Sequence, residues 1–438
     1  MAGNELWAWG INNSGVLGDG TVINRSSPVQ NILSGGVWAK VSTSSTHTLG
    51  IKTNGTLWSW GEGSGGSIGN NENISYSSPV QIGSFSWKEI SAGFFNNSAI
   101  RSDGTLWTWG VNYSGILGLN DTDARSSPVQ VGSDSNWDQI SNTGAHALAI
   151  KTDGTLWGWG EGSSGQLGQN DTFTYSSPVQ ITTDNDWKQI SASALSSFAI
   201  KNNGTLWSWG EGNFGILGNG DTISLSSPAQ VGSLSNWSSV SVSLYNAVAL
   251  KENGTLWAWG EGDSGALGNG YTAIVSSPVQ VGNASNWASA SAGTSSVVAL
   301  KSNGTLWVWG DNYSGKLGNG TENDSSSPIQ IASDKNWKFV SAGGYGSTMA
   351  ITDDTSTNYP LPAYTFRVNV IDYTAIVSQN LPDRIEHIVL NLENQTVYVS
   401  YVDKPLKHGD TFTLYGQKAI KCYQQYIGKL PKILELVN

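Results

Sequence analysis

The pentapeptide LWAWG at residues 6–10 returns six times as TLWxWG. The first tryptophan of each copy stands at Trp7, Trp58, Trp107, Trp157, Trp207, Trp257 and Trp307. A unit of about 50 residues is thus laid down seven times, and each unit reads the same way. LWxWG is followed by a loop of the type xxxSGxLGNGxT, then SSPVQV, then NWxxISA, then xxLAIK. Apolar residues alternate within these runs and turn residues separate them, which predicts four short strands per unit. Between LAIK and TLW lie TNG, SDG, TDG, NNG, ENG and SNG. Asn-Gly and Asp-Gly suit the two positive-φ positions of a type I′ hairpin turn, so a tight hairpin is expected at each.

Four strands repeated at this period describe the blade of a β-propeller; the rival is an open solenoid. The chain ends separate the two. A solenoid needs atypical polar caps, whereas a ring needs its last blade completed by its first strand. The first LWAWG copy has almost nothing ahead of it to pair with. STMAITDD at residues 347–354 has the pattern of the strand that elsewhere precedes TLW, but no TLW follows it. The strands at Trp337–Ala342 and Ser347–Thr352 are therefore expected to pair with those at Glu5–Gly10 and Ser26–Gln30, building one blade from both ends. The fold class is all-β: a seven-bladed propeller over residues 1–354, closed by pairing of N- and C-terminal strands. The 21 tryptophans fall three to a unit, as scaffold residues do. Trp58 and Trp60, two apart on one strand, share a face and are expected to pack between blades.

HALAIKTDGTLWGWGEGSSGQLG, residues 146–168, resembles the repeat of the regulator of chromosome condensation family, in its bacterial or phage type, and the likeness runs over about 350 residues. The resemblance implies a seven-bladed propeller with blades of this length. Members of the family include the exchange factor for the Ran GTPase, a bacterial protein inhibitor of β-lactamase, and bacterial and phage repeat proteins without assigned activity. The fold does not choose among these.

Charge and motif spacing remove several function classes. Residues 1–354 carry 14 Lys and Arg against 26 Asp and Glu, the reverse of the basic footprint that phosphate neutralisation needs, so no nucleic acid is expected as a partner. No apolar run approaches the roughly 20 residues of a membrane span, and no secretory leader is visible. Cys422 is the single cysteine, which leaves no internal disulfide or cysteine-based zinc site. Asp121, Asp171 and Asp221 lack the alternation of a calcium loop, and GEGSSG leads into a strand and not into the helix N-terminus that a phosphate cradle uses. No catalytic residue, cofactor or metal site is expected. The NGT triplets at Asn54, Asn203, Asn253 and Asn303 match glycosylation acceptors but coincide with the turns. An exchange-factor reading would call on histidines in the loops after ISA. The corresponding positions read as His47, Asn96, His146, Ser196, Asn246, Ser296 and Gly346, and no unit carries the insertion a protruding wedge would need.

Scaffold demands are equal in every blade, so the places where the units differ carry the functional signal. They are the loop after ISA, with Phe94, Phe95, Tyr245 and Tyr345, and the position before SSP, with Tyr76 and Tyr175. Strands that alternate up and down put both loop sets at one end. Those six aromatics are the candidate partner-binding residues, in a composition typical of interface anchors, against the alternative of drift in unconstrained loops.

Residues 355–363 read as a linker. Residues 364–438 read as a small β-rich domain for anchoring or assembly, with a hairpin at roughly 387–403, a strand in DTFTLYG and an apolar end KLPKILELVN. The expected protein is a non-catalytic structural or binding component that displays the propeller through this domain. The alternatives are a propeller that inhibits another protein, a glycan-binding lectin and, last, an exchange factor. Gly, Ser, Asn and Thr richness without a leader fits an exposed phage virion component, with other virion proteins bound through residues 364–438 and a host-surface ligand; otherwise a cytoplasmic location is expected.

Overall fold

The computed structural model describes residues 4–31, 37–344 and 346–353, and beyond these only the strands of the C-terminal part. Contacts divide the chain into Met1–Asp354 and Thr355–Asn438. The first unit holds seven four-stranded antiparallel sheets. Blade 1 is typical: an inner strand Trp38–Thr43, a second strand His47–Lys52, a third strand Leu57–Gly61 and an outer strand Tyr76–Gln81. Inner-strand residues from several blades, Lys40, Glu89, Gln189, Ser241 and Phe339 among them, line one central channel. SSPVQ therefore forms the outer edge, where proline's missing N–H costs no ladder bond.

Blade 7 is built from both ends of the repeat region, as expected. Leu6–Gly10 lies between Ser347–Thr352 on one side and Arg25–Gln30 on the other, with Leu6 opposite Ile351 and Gly10 opposite Ser347. Glu5 and Thr352 exchange two further hydrogen bonds of 3.0 Å, from Glu5 N–H to the Thr352 hydroxyl and from Thr352 N–H to the Glu5 carbonyl.

Three seven-fold constellations hold the blades together. In the first, the serine of ISA accepts a hydrogen bond from the inner strand of the next blade. The series runs from Ala92 N–H on Ser42 to Ala342 N–H on Ser291, at 2.8–3.0 Å, and Thr43 N–H on Ser341 at 3.2 Å closes the circle. In the second, the last tryptophan of each third strand sends its indole N–H to a loop carbonyl of the preceding blade. Trp60 reaches Val16 at 2.7 Å, Trp159 reaches Ile116 at 2.8 Å, and Trp9 reaches Lys316 at 3.1 Å across the seam. The glycine after that loop, Gly18 in the first case, has φ +69°, and a Cβ there would stand 2.7 Å from the Trp60 indole nitrogen. Glycine meets both demands.

The third constellation is the core. Each inner-strand tryptophan meets both tryptophans of its own third strand over a small residue of the second strand. Trp137 lies 6.0 Å from Trp157 and 6.3 Å from Trp159, with Ala149 directly opposite Trp157 in the register. Gly50 holds this place in blade 1, where a Cβ would come 2.4 Å from Trp38. The aliphatic face of the preceding blade packs onto these rings, so that Leu6, Ala8, Met349 and Ile351 cluster with Trp38 and Trp60. Each tryptophan set thus packs within its blade and across to its neighbour. The lysine ending LAIK lies over the same rings, with the Lys251 ammonium 3.4 Å from the Trp257 ring centre, a cation–π placement.

The hairpin turns differ from the type I′ expectation. Gly55 N–H bonds the Lys52 carbonyl at 2.8 Å, and only the glycine has positive φ, +82° at Gly55 and +74° to +84° in the other five copies. The Asn54 side chain explains this: it accepts from both the N–H and the hydroxyl of Thr56, an Asx turn that leaves the glycine as the one left-handed residue. The Thr56 hydroxyl in turn accepts the Trp58 indole N–H at 2.9 Å. Six copies repeat this chain of bonds. In the seventh, Glu5 stands where threonine would, and the buried Trp7 indole nitrogen has no hydrogen-bond partner among the described residues.

In the second unit, Ala363–Val368 pairs with Thr411–Tyr415 and Leu434–Val437, and Ile388–Asn391 pairs with Thr396–Val399. The turn expected between the last two strands lies outside the described residues.

Candidate functional site

Two connectors per blade, from inner to second strand and from third to outer strand, emerge at the same end of the propeller. The register shows it: Asn96, which opens a second strand, faces Gly110, which closes a third strand, and Gly110 faces Arg125, which opens an outer strand. Thirteen large apolar side chains stand exposed among the described residues, and eleven lie in these connectors. Phe85 and Leu234 are the two at the opposite end. Charge divides the same way. Counted from the last glycine of each third strand to the first residue of each outer strand, the long connectors hold fourteen carboxylates and three cations, an excess of eleven negative charges. The remainder of residues 1–354 holds twelve carboxylates and eleven cations. One end is acidic and apolar; the rest is close to neutral.

Within that end the six expected aromatics occupy two radii. Phe94 and Phe95 lie near the channel, ring centres 4.4 Å apart and edge to face, with Phe94 N–H on the Thr143 carbonyl of the next blade. Tyr245 holds the equivalent place in blade 5. Tyr76 and Tyr175 open outer strands, and their hydroxyls are engaged: Tyr175 donates to Asp171 at 2.8 Å and Tyr76 to Glu72. These carboxylates push both phenols up. Arg25 and Arg125 brace Asp19 and Asp121 in the same way, so this position steadies the long loop from within. Tyr345 lies outside the described residues. The structure therefore pairs Phe94 with Phe95 and leaves Tyr76 and Tyr175 on a separate, outer ring.

Sequence reasoning passed over the side chains that dominate that outer ring. Ile23, Ile74, Phe173 and Ile223 stand three residues before SSP, each more than half exposed. The signal was an apolar residue in a loop otherwise made of Asp, Asn, Ser and Thr. It also passed over Phe214, which takes a position held by Gly or Ser in the other units and packs edge-on to Tyr245 at 5.5 Å. Asp121, Asp171 and Asp221 accept backbone N–H bonds of 2.9–3.0 Å from residues two positions ahead, closing their own turns.

The histidines are not surface groups. His47 and His146 are buried at the start of second strands. Asn97 donates its side-chain N–H to the Ser67 carbonyl at 2.7 Å, so its oxygen accepts from His47 Nε2 at 2.6 Å, and the ring is neutral with the proton on Nε2. Register also corrects the seventh equivalent, which is Ser347 and not Gly346, because Ser347 faces Gly10 as His47 faces Gly61. Burial pushes both imidazoles from 6.5 down to about 4, the Asn97 bond opposing it at His47. A histidine held neutral in the fold takes up its proton more readily when unfolded, so stability falls as pH drops below 6.5 and the loss is complete near 4. Each ring accounts for about 3 kcal/mol of that loss. Replacing His47 by Asn and His146 by Ser, the residues other blades use, should flatten the urea midpoint between pH 6.5 and 4. An unchanged slope would assign acid lability elsewhere.

A family model for the RCC1-like domain matches residues 5–350. The chain belongs to the RCC1-like domain family. Among solved structures, Prp20p of Saccharomyces cerevisiae superposes on this RCC1-like propeller with a TM-score of 0.74 at 22% identity, covering 82% of this chain and 93% of that one. Human WBSCR16 does so with 0.73 at 17% identity, covering 81% and 100%. At these identities the likeness shows the fold. The Protein RCC2 homolog of Xenopus laevis is 34% identical over 80 residues, which span 18% of this chain and 16% of that protein. Among the described residues, no helix of this RCC1-like chain is long and apolar enough to cross a membrane.

Proposed function

We propose that this RCC1-like propeller is a non-catalytic binding protein whose acidic, apolar loop end docks a protein partner. The observation that carries the reading is the coincidence at one end of eleven exposed large apolar side chains and nearly all of the propeller's excess negative charge. Interfaces use apolar anchors for affinity and charge for orientation and rate. Protein binding is also what Prp20p displays, toward Gsp1p and histones. The rigid ring suits the role, because inter-blade serine and indole bonds hold loops from different blades in register.

The triple variant Ile23→Ser, Phe173→Ser, Ile223→Ser should keep the melting temperature, since all three side chains are exposed, and should lose partner proteins more than tenfold in affinity purification. Leu234→Ser with Lys338→Ser, at the other end, should retain them. The reverse pattern would move the docking surface to the opposite end. The finer reading is that residues 364–438 anchor the propeller in a phage particle. It rests on composition, and mass spectrometry of purified particles with and without those residues tests it.

A further inference from the structure

The junction between blades 4 and 5 lacks both of the serines that serve a carboxylate at the junction of blades 7 and 1. Elsewhere a carboxylate following the third strand is met by a side chain: by serine hydroxyls at Glu62 and Glu161, by the Asn213 amide at Glu211 and by the Lys316 ammonium at Asp311. Glu62 accepts from Ser14 of the preceding blade at 2.7 Å and from Ser64 of its own loop at 2.5 Å, and Glu161 accepts from Ser114 at 2.5 Å. These hydroxyls hold both groups below the usual range. Glu261 is the equivalent residue in blade 5. The place of Ser14 is taken there by Phe214, and the place of Ser64 by Asp263. No side chain among the described residues hydrogen-bonds the Glu261 carboxylate. Partial burial, and then the neighbouring Asp263, push it upward, the opposite direction from Glu62 and Glu161.

Phe214 has φ +58° and is 37% exposed. Left-handed backbone is unfavourable for a bulky residue, and glycine or serine serves the same turn at other junctions. The ring packs edge-on to Tyr245, whose carbonyl accepts the Glu261 N–H at 2.9 Å. An aromatic pair and an uncompensated carboxylate pair thus share one junction of the acidic end. At the opposite end of the propeller the same chemistry is already satisfied within the chain: the Arg101 guanidinium lies between Phe85 at 3.3 Å and Trp107 at 3.5 Å.

We propose that the blade 4–5 junction, formed by Phe214, Tyr245, Glu261 and Asp263, recognises an arginine side chain of the docked protein. A guanidinium stacks its plane on an aromatic ring while its fork of N–H donors meets carboxylates, which an ammonium does less well. The inference rests on the docking reading and names the anchor at its centre.

The test uses fluorescein-labelled hexapeptides with one central arginine, lysine or citrulline among glycines and serines, titrated into the full chain at low salt. The arginine peptide should bind, lysine should weaken binding severalfold, and citrulline should abolish it. Glu261→Gln and Phe214→Gly should each weaken the arginine peptide at least tenfold, and Glu62→Gln should not. Phe214→Gly should also leave the melting temperature unchanged or higher, because glycine relieves the backbone. Equal binding of citrulline and arginine peptides would overturn the proposal. So would a lower melting temperature in Phe214→Gly with peptide binding intact, which would make Phe214 a packing residue. If Glu261→Gln binds normally while the Ile23, Phe173, Ile223 triple variant loses its partners, the docking end stands and the arginine site falls.

Discussion

Deletion of Met1 to Gly10 is expected to leave a protein without a cooperative thermal transition, prone to aggregate. The segment supplies the third strand of blade 7, which lies between Ser347–Thr352 and Arg25–Gln30, so its loss strands two elements. The outer strand has nothing left to pair with, and Trp337–Ala342 with Ser347–Thr352 remains as a hairpin with an open edge, marginal by itself and a template for other chains. Leu6, Ala8 and Trp9 leave two inter-blade clusters, and the Trp9 bond to Lys316 goes with them. Buried leucine and tryptophan truncations cost about 2–5 kcal/mol each, so the combined loss is on the order of 10 kcal/mol and comparable to a domain's whole stability. Supplying residues 4–10 as a peptide should restore a transition, because those residues carry the missing strand. A truncated protein that melts like the parent and stays monomeric would show that the circle is not what stabilises the molecule.

The second large effect is expected at the tryptophan triangles. Trp159 is fully buried, meets Trp137 across Ala149, and donates to the Ile116 carbonyl of the preceding blade. Trp159→Ala should destabilise by about 3–5 kcal/mol from the cavity, and the orphaned carbonyl adds about 1–3 kcal/mol. Trp157→Ala removes a half-buried ring bonded only to Thr155 of its own blade and should cost less. Ala149→Leu approaches the same place from the other side, driving a branched chain between rings about 6 Å apart, and overpacking of this kind costs about 1–3 kcal/mol. Urea midpoints with a common slope, read by near-ultraviolet circular dichroism, would rank the three. Equal losses for Trp157→Ala and Trp159→Ala would mean that the inter-blade bond contributes nothing.

The candidate site was legible in part. Loops after ISA pointed to Phe94, Phe95 and Tyr245, and the structure places all three at the acidic end. At the position before SSP the structure adds a second task, because the hydroxyl there closes its own loop, as Tyr175 does on Asp171. Phe214 was hidden in a loop read as scaffold. A bulky ring at a left-handed position, and the loss of two hydroxyls around Glu261, distinguish it.

Period, strand count, blade number and closure were determined by the sequence itself, because each follows from short-range pattern repeated often enough to average out local ambiguity. A unit whose third strand lacks its partner at one end of the repeats, and finds it at the other, admits a ring. What only the tertiary structure decided is the partner each polar group takes, two residues away in the turns and 44 to 51 away between blades. The turns took one positive φ and not two, since Asn54 bonds forward to Thr56. The LWxW tryptophans became unequal partners, Trp58 bonded within its blade and Trp60 across to the preceding one. His47 and His146 turned inward because Asn97 and Ser197, one blade on, offer partners in the core. Charge and exposed apolar surface gathered at one end because strand alternation collects alternate connectors there. Local pattern encodes which strands exist; distance in three dimensions assigns each side chain its partner.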